Sequence, residues 1–554
     1  MRSMVRLAVF TLSLVIVTAL GYQRARSQSS PASPASLSAS AAAFQVRQVA
    51  YIKSSNPHAN DHFGCGGNLP GHVGNSMAIS ADGNILAVGA HLESSAAKGI
   101  NGNQNDTSLY SSGAVYVFAR RGNTWVQQAY VKASNPQQGA NLGMNVALND
   151  DGTTLAASAY FESSSSRGIN SIQDDKIPQS GAVYVFTRTG DNWSQQAYIK
   201  ASNTGRAPVL SDAEDWGDGD QFGYSIALSA DGNILAVGAM AEDSRASGIN
   251  NTQFESDDSA ASAGAVYLFS RSGGAWSQQA YIKGSNTDAG DLFGYTVGLS
   301  DDGNTLAVGA YDEDGSGRSV NPIPDNRRNG TGAAYVFVRT EGVWRQQVYL
   351  KGSRSQGNDA MGVSLTLSGD GNTLAAGSAE EACLVPGINP PACDIDTHPP
   401  HIAAGTSGAV YVWVRNGNTW TEQAFIKASN PDIEDWFGVR VSLSADGNTL
   451  LVGAQNEDGN AKGINGDQRD NSATEAGAAY IFTRTGDTWT QRAYLKGSNT
   501  EAFDEFGSAT AITRDGKTLA LGARMEAGAA KGVGANQNDN SAQSAGAAYI
   551  FTVN

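Results

Sequence analysis

The stretch "FGYSIALSADGNILAVGA", Phe222–Ala239, decides the fold of this chain. Apolar residues alternate with small or polar residues on both sides of "ADGN", and this alternation is typical of β-strands with one buried face. An Asp-Gly pair between two such segments is a strong signal for a tight hairpin turn. The stretch therefore predicts two antiparallel strands joined at Asp231 and Gly232.

The same pattern recurs along the chain. Each copy has an Asp-Gly pair at Asp82, Asp151, Asp231, Asp302, Asp370, Asp446 or Asp515, and a glycine stands eight positions earlier, at Gly74, Gly143, Gly223, Gly294, Gly362, Gly438 or Gly507. The phrase "GAVYVF", or a close variant, begins at Gly113, Gly181, Gly264, Gly332, Gly408, Gly477 and Gly546. Seven units of about 70 residues are therefore present. In this register the "FG" at Phe63 is out of phase, which predicts an insertion over residues 63–72.

A second hairpin completes each unit. The segment "GAVYVFTRTGDNWSQQAYIKAS", Gly181–Ser202, alternates in the same way around a central turn. One four-stranded sheet cannot bury both of its faces, so seven sheets are expected to pack around an axis. The predicted fold is an all-β, seven-bladed β-propeller of four-stranded antiparallel blades. The blades are expected at about 63–135, 140–203, 220–286, 291–354, 359–430, 435–499 and 504–554 with 45–53.

The two ends of the repeat array complement each other. The last unit stops at "GAAYIFTVN" and lacks a fourth strand, whereas residues 45–53, "QVRQVAYIK", match the fourth-strand phrase "SQQAYIK". The N-terminal strand is therefore expected to complete the last blade, which removes an unpaired sheet edge.

The recurring phrases "FG", "LAVGA" and "GAVYVF" resemble the FG-GAP repeats of the integrin alpha-chain propeller, and more closely their bacterial secreted relatives, over residues 45–554. The resemblance implies a seven-bladed propeller that binds partners on one face. It also implies calcium in the first hairpin loop, held by a "DxDxDG"-type run. Here that loop is the tight turn "SADGN" or "SDDGN", which has too few carboxylates for the six to eight oxygens that calcium takes. The calcium sites of the family are therefore not transferred to these turns.

The start of the chain predicts export. Arg2 and Arg6 precede the apolar run Leu7–Leu20, which is short for a membrane span but right for a signal peptide. Residues 1–27 are expected to be a signal peptide cleaved after Ser27 or after Gly21, with an uncleaved anchor as the alternative. Residues 28–44 form a Ser/Ala/Pro-rich linker.

Composition narrows the partners and the compartment. The net charge of -16 and the pI of about 4.8 argue against nucleic acid. Of the 3 cysteines, Cys383 and Cys393 flank one Pro-rich loop and are expected to pair, which leaves Cys65 free or intermolecular. The protein is expected to be secreted, periplasmic or at the cell surface, and to be a monomer.

Successive connections between antiparallel strands alternate between the two faces of the propeller. The connections from strand two to strand three, and from strand four to the next blade, are long and lie on the same side, here named the long-loop face. Because loops on a rigid scaffold commonly carry binding, this face is the expected location of a site. Six tryptophans recur at the start of strand four, and this repetition favours packing over carbohydrate stacking: Trp125, Trp193, Trp276, Trp344, Trp420 and Trp489. Trp216 and Trp436 break that period on the long-loop face and are the better candidates for a ligand.

Two charges recur once per blade on the long-loop face. The acidic set is Glu93, Glu162, Glu242, Glu313, Glu381, Glu457 and Glu526, and the basic set is Lys53, Lys132, Lys200, Lys283, Lys351, Lys427 and Lys496. One interpretation is a carboxylate ring for a metal or a cationic ligand, in which Glu242 and Glu457 take part. The favoured interpretation is a Glu that accepts loop amides or pairs with Lys in each blade, since a residue required by every unit serves the unit.

Three segments are candidate metal sites. The acidic run with Asp212, Glu214, Asp215, Asp218 and Asp220 is a candidate calcium loop, with a solvated linker as the alternative. His58, His62, Cys65 and His72 could supply a zinc set, but the spacing matches no established finger, and an exposed loop is favoured.

The third segment, "VGAQNEDGNAKGINGDQRDN", Val452–Asn471, places Asp458, Asn460 and Gly463 at EF-hand positions. Lys462 and Arg469 then occupy positions that need oxygen ligands, so the segment does not match the EF-hand motif. Calcium here would need Glu457 and Asp458 together with backbone carbonyls. Similar loops recur in other units, which indicates a common loop format.

The function favoured by the sequence is a secreted, non-enzymatic binding or adhesion propeller that recognises a protein or glycan. An enzyme, a hydrolase or lyase with its site at the mouth of the central channel, is the alternative, although no nucleophile elbow and no "HExxH" is present. A structural surface protein without a defined ligand is a third possibility.

Overall fold

The computed structural model describes residues 44–65, 74–205, 219–251, 253, 255–391, 393 and 406–554. The predicted signal peptide and residues 28–43 of the predicted linker lie outside these residues. Strand β1 (Val46–Ile52) precedes seven groups of strands that follow the repeat. Among the described residues, no helix is long and apolar enough to cross a membrane.

The strands form seven four-stranded antiparallel sheets, as predicted. The first blade holds β2 (Met77–Ile79), β3 (Ile85–Ala90), β4 (Ala114–Arg121) and β5 (Thr124–Val131); the second holds β6 (Val146–Leu148), β7 (Thr154–Ala159), β8 (Ala182–Thr189) and β9 (Asn192–Ile199). The third holds β10 (Ser225–Leu228), β11 (Ile234–Ala239), β12 (Ala265–Ser272) and β13 (Ala275–Ile282); the fourth holds β14 (Phe293–Leu299), β15 (Thr305–Ala310), β16 (Ala333–Thr340) and β17 (Val343–Leu350).

The remaining blades repeat this order. The fifth holds β18 (Met361–Leu367), β19 (Thr373–Ser378), β20 (Ala409–Asn416) and β21 (Thr419–Ile426); the sixth holds β22 (Arg440–Leu443), β23 (Thr449–Ala454), β24 (Ala478–Thr485) and β25 (Thr488–Leu495). The seventh holds β26 (Phe506–Ile512), β27 (Thr518–Ala523) and β28 (Ala547–Val553).

The N-terminal strand closes the propeller. β1 pairs antiparallel with β28, and the seventh sheet has the order β1-β28-β27-β26. The hydroxyl of Tyr51 donates to Glu526 at 2.7 Å, and Nζ of Lys53 donates to the same carboxylate at 2.5 Å. The predicted closure is confirmed, and both ends of the array lie within one sheet.

Apolar side chains fill the spaces between neighbouring blades. One buried cluster joins Val185 and Ile199 of the second blade to Leu235, Val237 and Phe269 of the third. The periodic tryptophans belong to these interfaces. The indole of Trp193 is 6% exposed and donates to Gln128 of the preceding blade at 2.9 Å. Their recurrence therefore reflects packing between blades.

The Asp-Gly turns link neighbouring blades at the end of the central channel that is opposite to the long-loop face. In six of the turns the residue before the Asp donates its backbone N–H to the carbonyl of the equivalent residue in the next blade, at 2.8–3.0 Å. The donors are Ala81, Asp150, Ala230, Asp301, Gly369 and Ala445, and Arg514 accepts from Ala445. The Arg514 side chain also forms ion pairs with Asp150, at 2.8 Å, and with Asp301. These contacts tie the inner ends of the blades together around the axis.

The interpretation of Phe63 as out of phase is wrong. The Phe63 ring lies 5.5 Å from Tyr116 and 6.1 Å from Phe118, edge-on, as Phe293 does with its own blade at 5.3 and 6.1 Å. Phe63 also bridges Ala90 as Phe293 pairs with Ala310. Phe63 and Gly64 therefore occupy the "FG" position of the first blade. The extra residues follow Gly64, so counting back from the Asp-Gly turn reached Gly74 instead.

Candidate binding face and axial rim

The long connections between strands two and three share one construction. In the sixth blade, Ile464 bridges Leu495 on the outermost strand, and Asn465 exchanges two hydrogen bonds with Tyr494, at 2.8 and 3.0 Å. The same bridge occurs at Ile100, Ile169, Ile249, Val320, Ile388 and Val533. The "GIN" phrase of each loop thus covers the outer edge of its blade, and this protects a sheet edge that would otherwise be unpaired.

This construction explains the segment that resembled an EF-hand. Oδ1 of Asp458 accepts the backbone N–H of Glu475 at 2.8 Å, and Asn460 is exposed. The N–H of Gly459 donates to Glu457 at 2.9 Å. Asp458 therefore holds the two ends of its own loop together. Its contribution to binding a ligand stays a prediction.

The recurring Glu and Lys residues form buried ion pairs. In the second blade, Nζ of Lys200 lies 2.9 Å from Glu162, which also accepts from the Tyr198 hydroxyl at 2.9 Å and from Asn135 of the preceding blade at 3.2 Å. The equivalent pairs are Lys53–Glu526, Lys132–Glu93, Lys283–Glu242, Lys351–Glu313, Lys427–Glu381 and Lys496–Glu457, at 2.5–2.9 Å. Each recurring carboxylate therefore pairs with a lysine, and the seven carboxylates do not form an open ring.

Glu242 and Glu457 belong to this set, and each side chain is at most 2% exposed. Asn203 donates to Glu242 at 2.8 Å, and Asn430 donates to Glu457 at 2.9 Å, so each carboxylate also links two blades. The geometry gives these residues a structural role. Their predicted participation in ligand binding is not tested by these contacts and stays a prediction.

A second carboxylate is buried near each of several blade interfaces. Asp291 accepts the backbone N–H of Asp288 at 2.7 Å, and Asp435 accepts that of Asp432 at 2.8 Å. Burial raises the pKa of both carboxyls to about 8, with a further contribution from the Glu of the same blade, while the N–H donor opposes the shift. Asp61 and Asp504, in equivalent positions, have a pKa raised to about 7 for the same reasons. These groups couple stability to pH.

The acidic run of the third blade is only partly described. Asp212, Glu214, Asp215 and Asp218 lie outside the described residues, as does Trp216. Asp220 is buried and accepts the N–H of Gly205 at 2.8 Å, and burial raises the pKa of its carboxyl well above the usual range. Calcium binding by this run stays a prediction.

Three positions per blade surround the axis at the end of the channel that belongs to the long-loop face. We name them the axial rim. They are the residue before the "FG" phenylalanine, the residue after its glycine and the residue after strand two. The first set is His62, Asn141, Gln221, Leu292, Ala360, Trp436 and Glu505; the second is Cys65, Met144, Tyr224, Tyr295, Val363, Val439 and Ser508; the third is His91, Tyr160, Met240, Tyr311, Ala379, Gln455 and Arg524.

The backbone of the first set is unusual and common to all blades. All seven residues have φ between 52° and 59°, although none is glycine, and Trp436 is at 56°. Non-glycine residues in this region cost on the order of 1 kcal/mol or more, so the surrounding structure imposes the conformation. The N–H of Leu292, for example, donates to Ser262 O at 3.1 Å. The repeat therefore sets the backbone of the rim, while each blade supplies a different side chain.

Blades two to six place a mainly apolar layer at the rim, to which blades two, three, four and six contribute aromatic rings. Tyr224 packs on Tyr160 and Tyr295, with ring centroids 5.6 and 5.0 Å apart, and Tyr295 stacks on Tyr311 at 4.7 Å. Trp436 packs against this cluster and donates from its indole to Thr406 at 3.1 Å. The part of Trp436 in ligand binding stays a prediction.

A cavity of about 110 Å³ in the channel is lined by polar side chains from several blades and by the buried Arg440.

Blade one differs from this layer because it supplies two histidines and a cysteine. The ligand atoms of His62, Cys65 and His91 all lie within 4.8 Å of one another, and all three residues are buried. The expectation of an exposed loop is therefore wrong for His62 and Cys65. His58 instead lies 3.5 Å from Asp61, and His72 is outside the described residues. His91 was missed because it lies far from the others in sequence.

A disulfide joins Cys383 to Cys393, with Cα atoms 5.6 Å apart. It ties the start of the strand-two to strand-three connection in blade five. Both cysteines are buried against the core of that blade.

The architecture and the repeat geometry define a seven-bladed β-propeller whose blades share one structural unit. The chain carries FG-GAP repeats: the FG-GAP repeat family matches residues 276–337 and 420–482. Each matched stretch begins at the fourth strand of one blade and ends in the third strand of the next.

No curated protein matches the chain. A solved structure described as a putative 6-phosphogluconolactonase from Bacteroides uniformis is similar, with a TM-score of 0.43 and 11% identity, over 81% of this chain and 97% of that chain.

Proposed function

We propose that this protein is a secreted, non-enzymatic binding propeller whose long-loop face recognises a partner protein or glycan. The distribution of exposed apolar side chains carries the proposal. Eight large apolar side chains are strongly exposed among the described residues. Six of them lie in connections of the long-loop face: Tyr110, Ile172, Ile323, Leu384, Ile433 and Phe503. The other two, Val126 and Val343, lie on fourth strands.

Single exposed apolar residues are ordinary, but their concentration on one face favours an interaction surface. Ile172 is 90% exposed and Ile323 is 89% exposed, so neither contributes much to the core. A partner that covered them would remove this apolar surface from water. Tyr110 and Phe503 add the aromatic residues that are enriched in interfaces.

The loops that present these residues are fixed by internal hydrogen bonds. Asp174 accepts the N–H of Ser165 at 2.7 Å in the loop of Ile172, and Asp325 accepts that of Ser316 at 2.7 Å in the loop of Ile323. A loop that is ordered before binding loses less conformational entropy when a partner arrives. This preorganisation supports a role in recognition.

The proposed location follows from two features. The apolar N-terminal run with its preceding arginines is typical of an export signal, and the Cys383–Cys393 disulfide suits an oxidising compartment. FG-GAP repeats are compatible with extracellular binding. We propose a monomer that acts outside the cytoplasm, in the periplasm, at the cell surface or in the medium.

Protein and glycan arrays probed with the purified chain test the proposal. The matched variants are Ile172→Asp and Ile323→Asp on the face, and Val343→Asp on an outer strand as the control. We expect each face variant to weaken binding about tenfold or more, which corresponds to about 1.4 kcal/mol. The control should bind as the wild type does. An absence of binding to both arrays, or equal loss in all three variants, would contradict the proposal.

The alternative of an enzyme at the channel mouth has a separate test. Hydrolase and lyase substrate screens with the wild type would reveal turnover, and Arg440→Gln would then show whether the cavity takes part, because Arg440 lines it. If the wild type turns over a substrate and Arg440→Gln does not, catalysis and not binding would be the main function.

Calcium at the acidic run of the third blade is proposed from sequence. Calcium prefers carboxylate and carbonyl oxygens, of which the run has many. Added calcium should raise the melting temperature of the wild type but not that of Asp215→Asn with Asp218→Asn. An unchanged melting temperature in the wild type would end the calcium hypothesis.

A further inference from the structure

The His62, Cys65 and His91 cluster lies apart from the exposed apolar residues of the long-loop face. The three residues occupy the three rim positions of one blade, where other blades place residues such as Leu292, Tyr295 and Tyr311. The rings of His62 and His91 lie 5.6 Å apart and are inclined by 68°. Blade one thus replaces apolar rim side chains with nitrogen and sulfur donors.

The imidazoles lack the partners that buried polar groups normally have. Neither ring nitrogen of His91 accepts or donates a hydrogen bond within the described part of the chain, and the residue is fully buried. Nδ1 of His62 is also without a partner there, at 7% exposure. A buried polar group without a hydrogen bond costs about 1–3 kcal/mol. Three such atoms beside one sulfur require an explanation.

A largely buried cation stands beside the three donor residues. Arg524 lies close enough to His62 and to His91 to interact with both imidazoles. The same arginine hydrogen-bonds the Cys65 sulfur, and a neighbouring cation stabilises a thiolate. Neutral imidazole and thiolate are the forms that bind metal.

We propose that His62, Cys65 and His91 form a binding site for a zinc-class metal ion at the axial rim. Imidazole and thiolate together suit Zn²⁺, which takes nitrogen at about 2.0–2.1 Å and sulfur at about 2.3 Å. Tetrahedral geometry at those lengths separates ligand atoms by roughly 3.5 Å. The three atoms lie within 4.8 Å of one another, so binding requires them to approach by roughly 1 Å. Three protein ligands leave one position for water or a ligand.

Arg524 is compatible with a bound cation because its charge is balanced. Its guanidinium donates to Oε1 of Glu505 at 2.7 Å and makes a second contact with the same carboxylate. The metal therefore meets an Arg–Glu pair that is close to neutral overall. Glu505 and Arg524 come from blade seven, so the site also joins the two blades at the closure.

Cobalt substitution tests the site in the intact chain. The sequence has 3 cysteines, and two of them form a disulfide, so Cys65 is the sole source of a thiolate. Co²⁺ added to metal-depleted wild type should bind in one equivalent, with a sulfur-to-cobalt charge-transfer band and tetrahedral d–d bands. Zn²⁺ should displace it and raise the melting temperature. Co²⁺ binding without a sulfur band, or no binding, would overturn the proposal.

Variants assign the histidines. Cys65→Ser, His62→Gln and His91→Gln should each weaken Co²⁺ binding by at least about 100-fold, since removal of an outer-shell partner alone costs 10–100-fold. His58→Gln is the matched control, because His58 lies in the same segment but pairs with Asp61. Equal loss in the control would refute the assignment. If a variant does not fold, the wild-type sulfur band and the zinc-induced shift decide the outcome.

Discussion

Nζ of Lys200 lies 2.9 Å from Oε2 of Glu162, and neither side chain is more than 1% exposed. Glu162 accepts at the same time from the hydroxyl of Tyr198 and from Asn135 of the preceding blade. The ion pair is therefore the centre of a network that fastens two blades, and an equivalent pair occurs in every blade.

Removing the lysine from this pair should be costly. Lys200→Met leaves Glu162 buried without its cation, and we expect a loss of about 3–5 kcal/mol in the free energy of unfolding. Denaturant titration followed by fluorescence measures the change. The exposed pair Arg121–Asp191, at 2.7 Å, is the control. Arg121→Ala should cost about 1 kcal/mol or less, since exposed pairs contribute little. Similar losses in the two variants would show that burial does not govern the pair.

The glycine that begins "GAVYVF" should tolerate no side chain. Gly264 has φ +79°, and a Cβ there would lie 2.1 Å from Phe293 O in the next blade. Gly274 has φ +83°, but a Cβ at that position would meet no atom within 4 Å, so it isolates the effect of backbone conformation. We expect Gly274→Ala to cost about 1 kcal/mol. Gly264→Ala should cost at least about 3 kcal/mol, because strain and overpacking add. Thermal unfolding of both variants measures the difference, and equal effects would contradict the steric argument.

The buried aspartates should make the propeller less stable as pH rises from 6.5 to 8.5. The pKa of Asp291 and of Asp435 is about 8 in the folded state, against 3.8 for an ordinary Asp. The folded state therefore binds more protons than the unfolded state in this window, and stability falls as those protons leave. The depressed pKa of His62 acts in the opposite sense, but only below the ordinary histidine value of 6.5.

The melting temperature of the wild type measured across this window checks the sign. Asp291→Asn keeps an oxygen that can accept the Asp288 N–H but cannot ionise, so its melting temperature should fall less between pH 6.5 and 8.5. A wild type that becomes more stable across the window would contradict the assignment. An unchanged slope in the variant would remove Asp291 as a contributor.

The N-terminal strand should be indispensable. A chain that begins at residue 44 retains β1, whereas one that begins at residue 54 loses β1 and also Lys53, the partner of Glu526. The first truncation should leave stability unchanged. The second truncation exposes the edge of β28 and leaves the buried carboxylate of Glu526 without its cation. We therefore expect a loss of at least about 3 kcal/mol in the free energy of unfolding. Circular dichroism and size-exclusion chromatography report unfolding and aggregation. Equal behaviour of the two chains would disprove the need for closure.

The blade count and the closure were predictable because they depend on local periodicity. The Asp-Gly turn at Asp231 and the phrase after Gly264 are consequences of backbone geometry that every copy must satisfy. The Glu–Lys pairs were predictable for the same reason, since both charges recur in register. The prediction for Phe63 was wrong because an insertion after Gly64 lengthens the spacing between the "FG" glycine and the Asp-Gly turn in the first blade, and the prediction assumed that this spacing is constant. His91 could not be grouped with His62, because their proximity arises only when strand two returns to the axis.

The phase of the repeat has an evolutionary consequence. A stretch such as residues 276–337 supplies the outer strand of one blade and three strands of the next. Duplication of such a stretch in tandem always yields offset copies, with three strands left at one terminus and one at the other. An array of any copy number therefore inherits compatible termini, and gain or loss of a copy needs no new sequence at the junction. How many copies form a stable ring is then decided by the angle between neighbouring sheets.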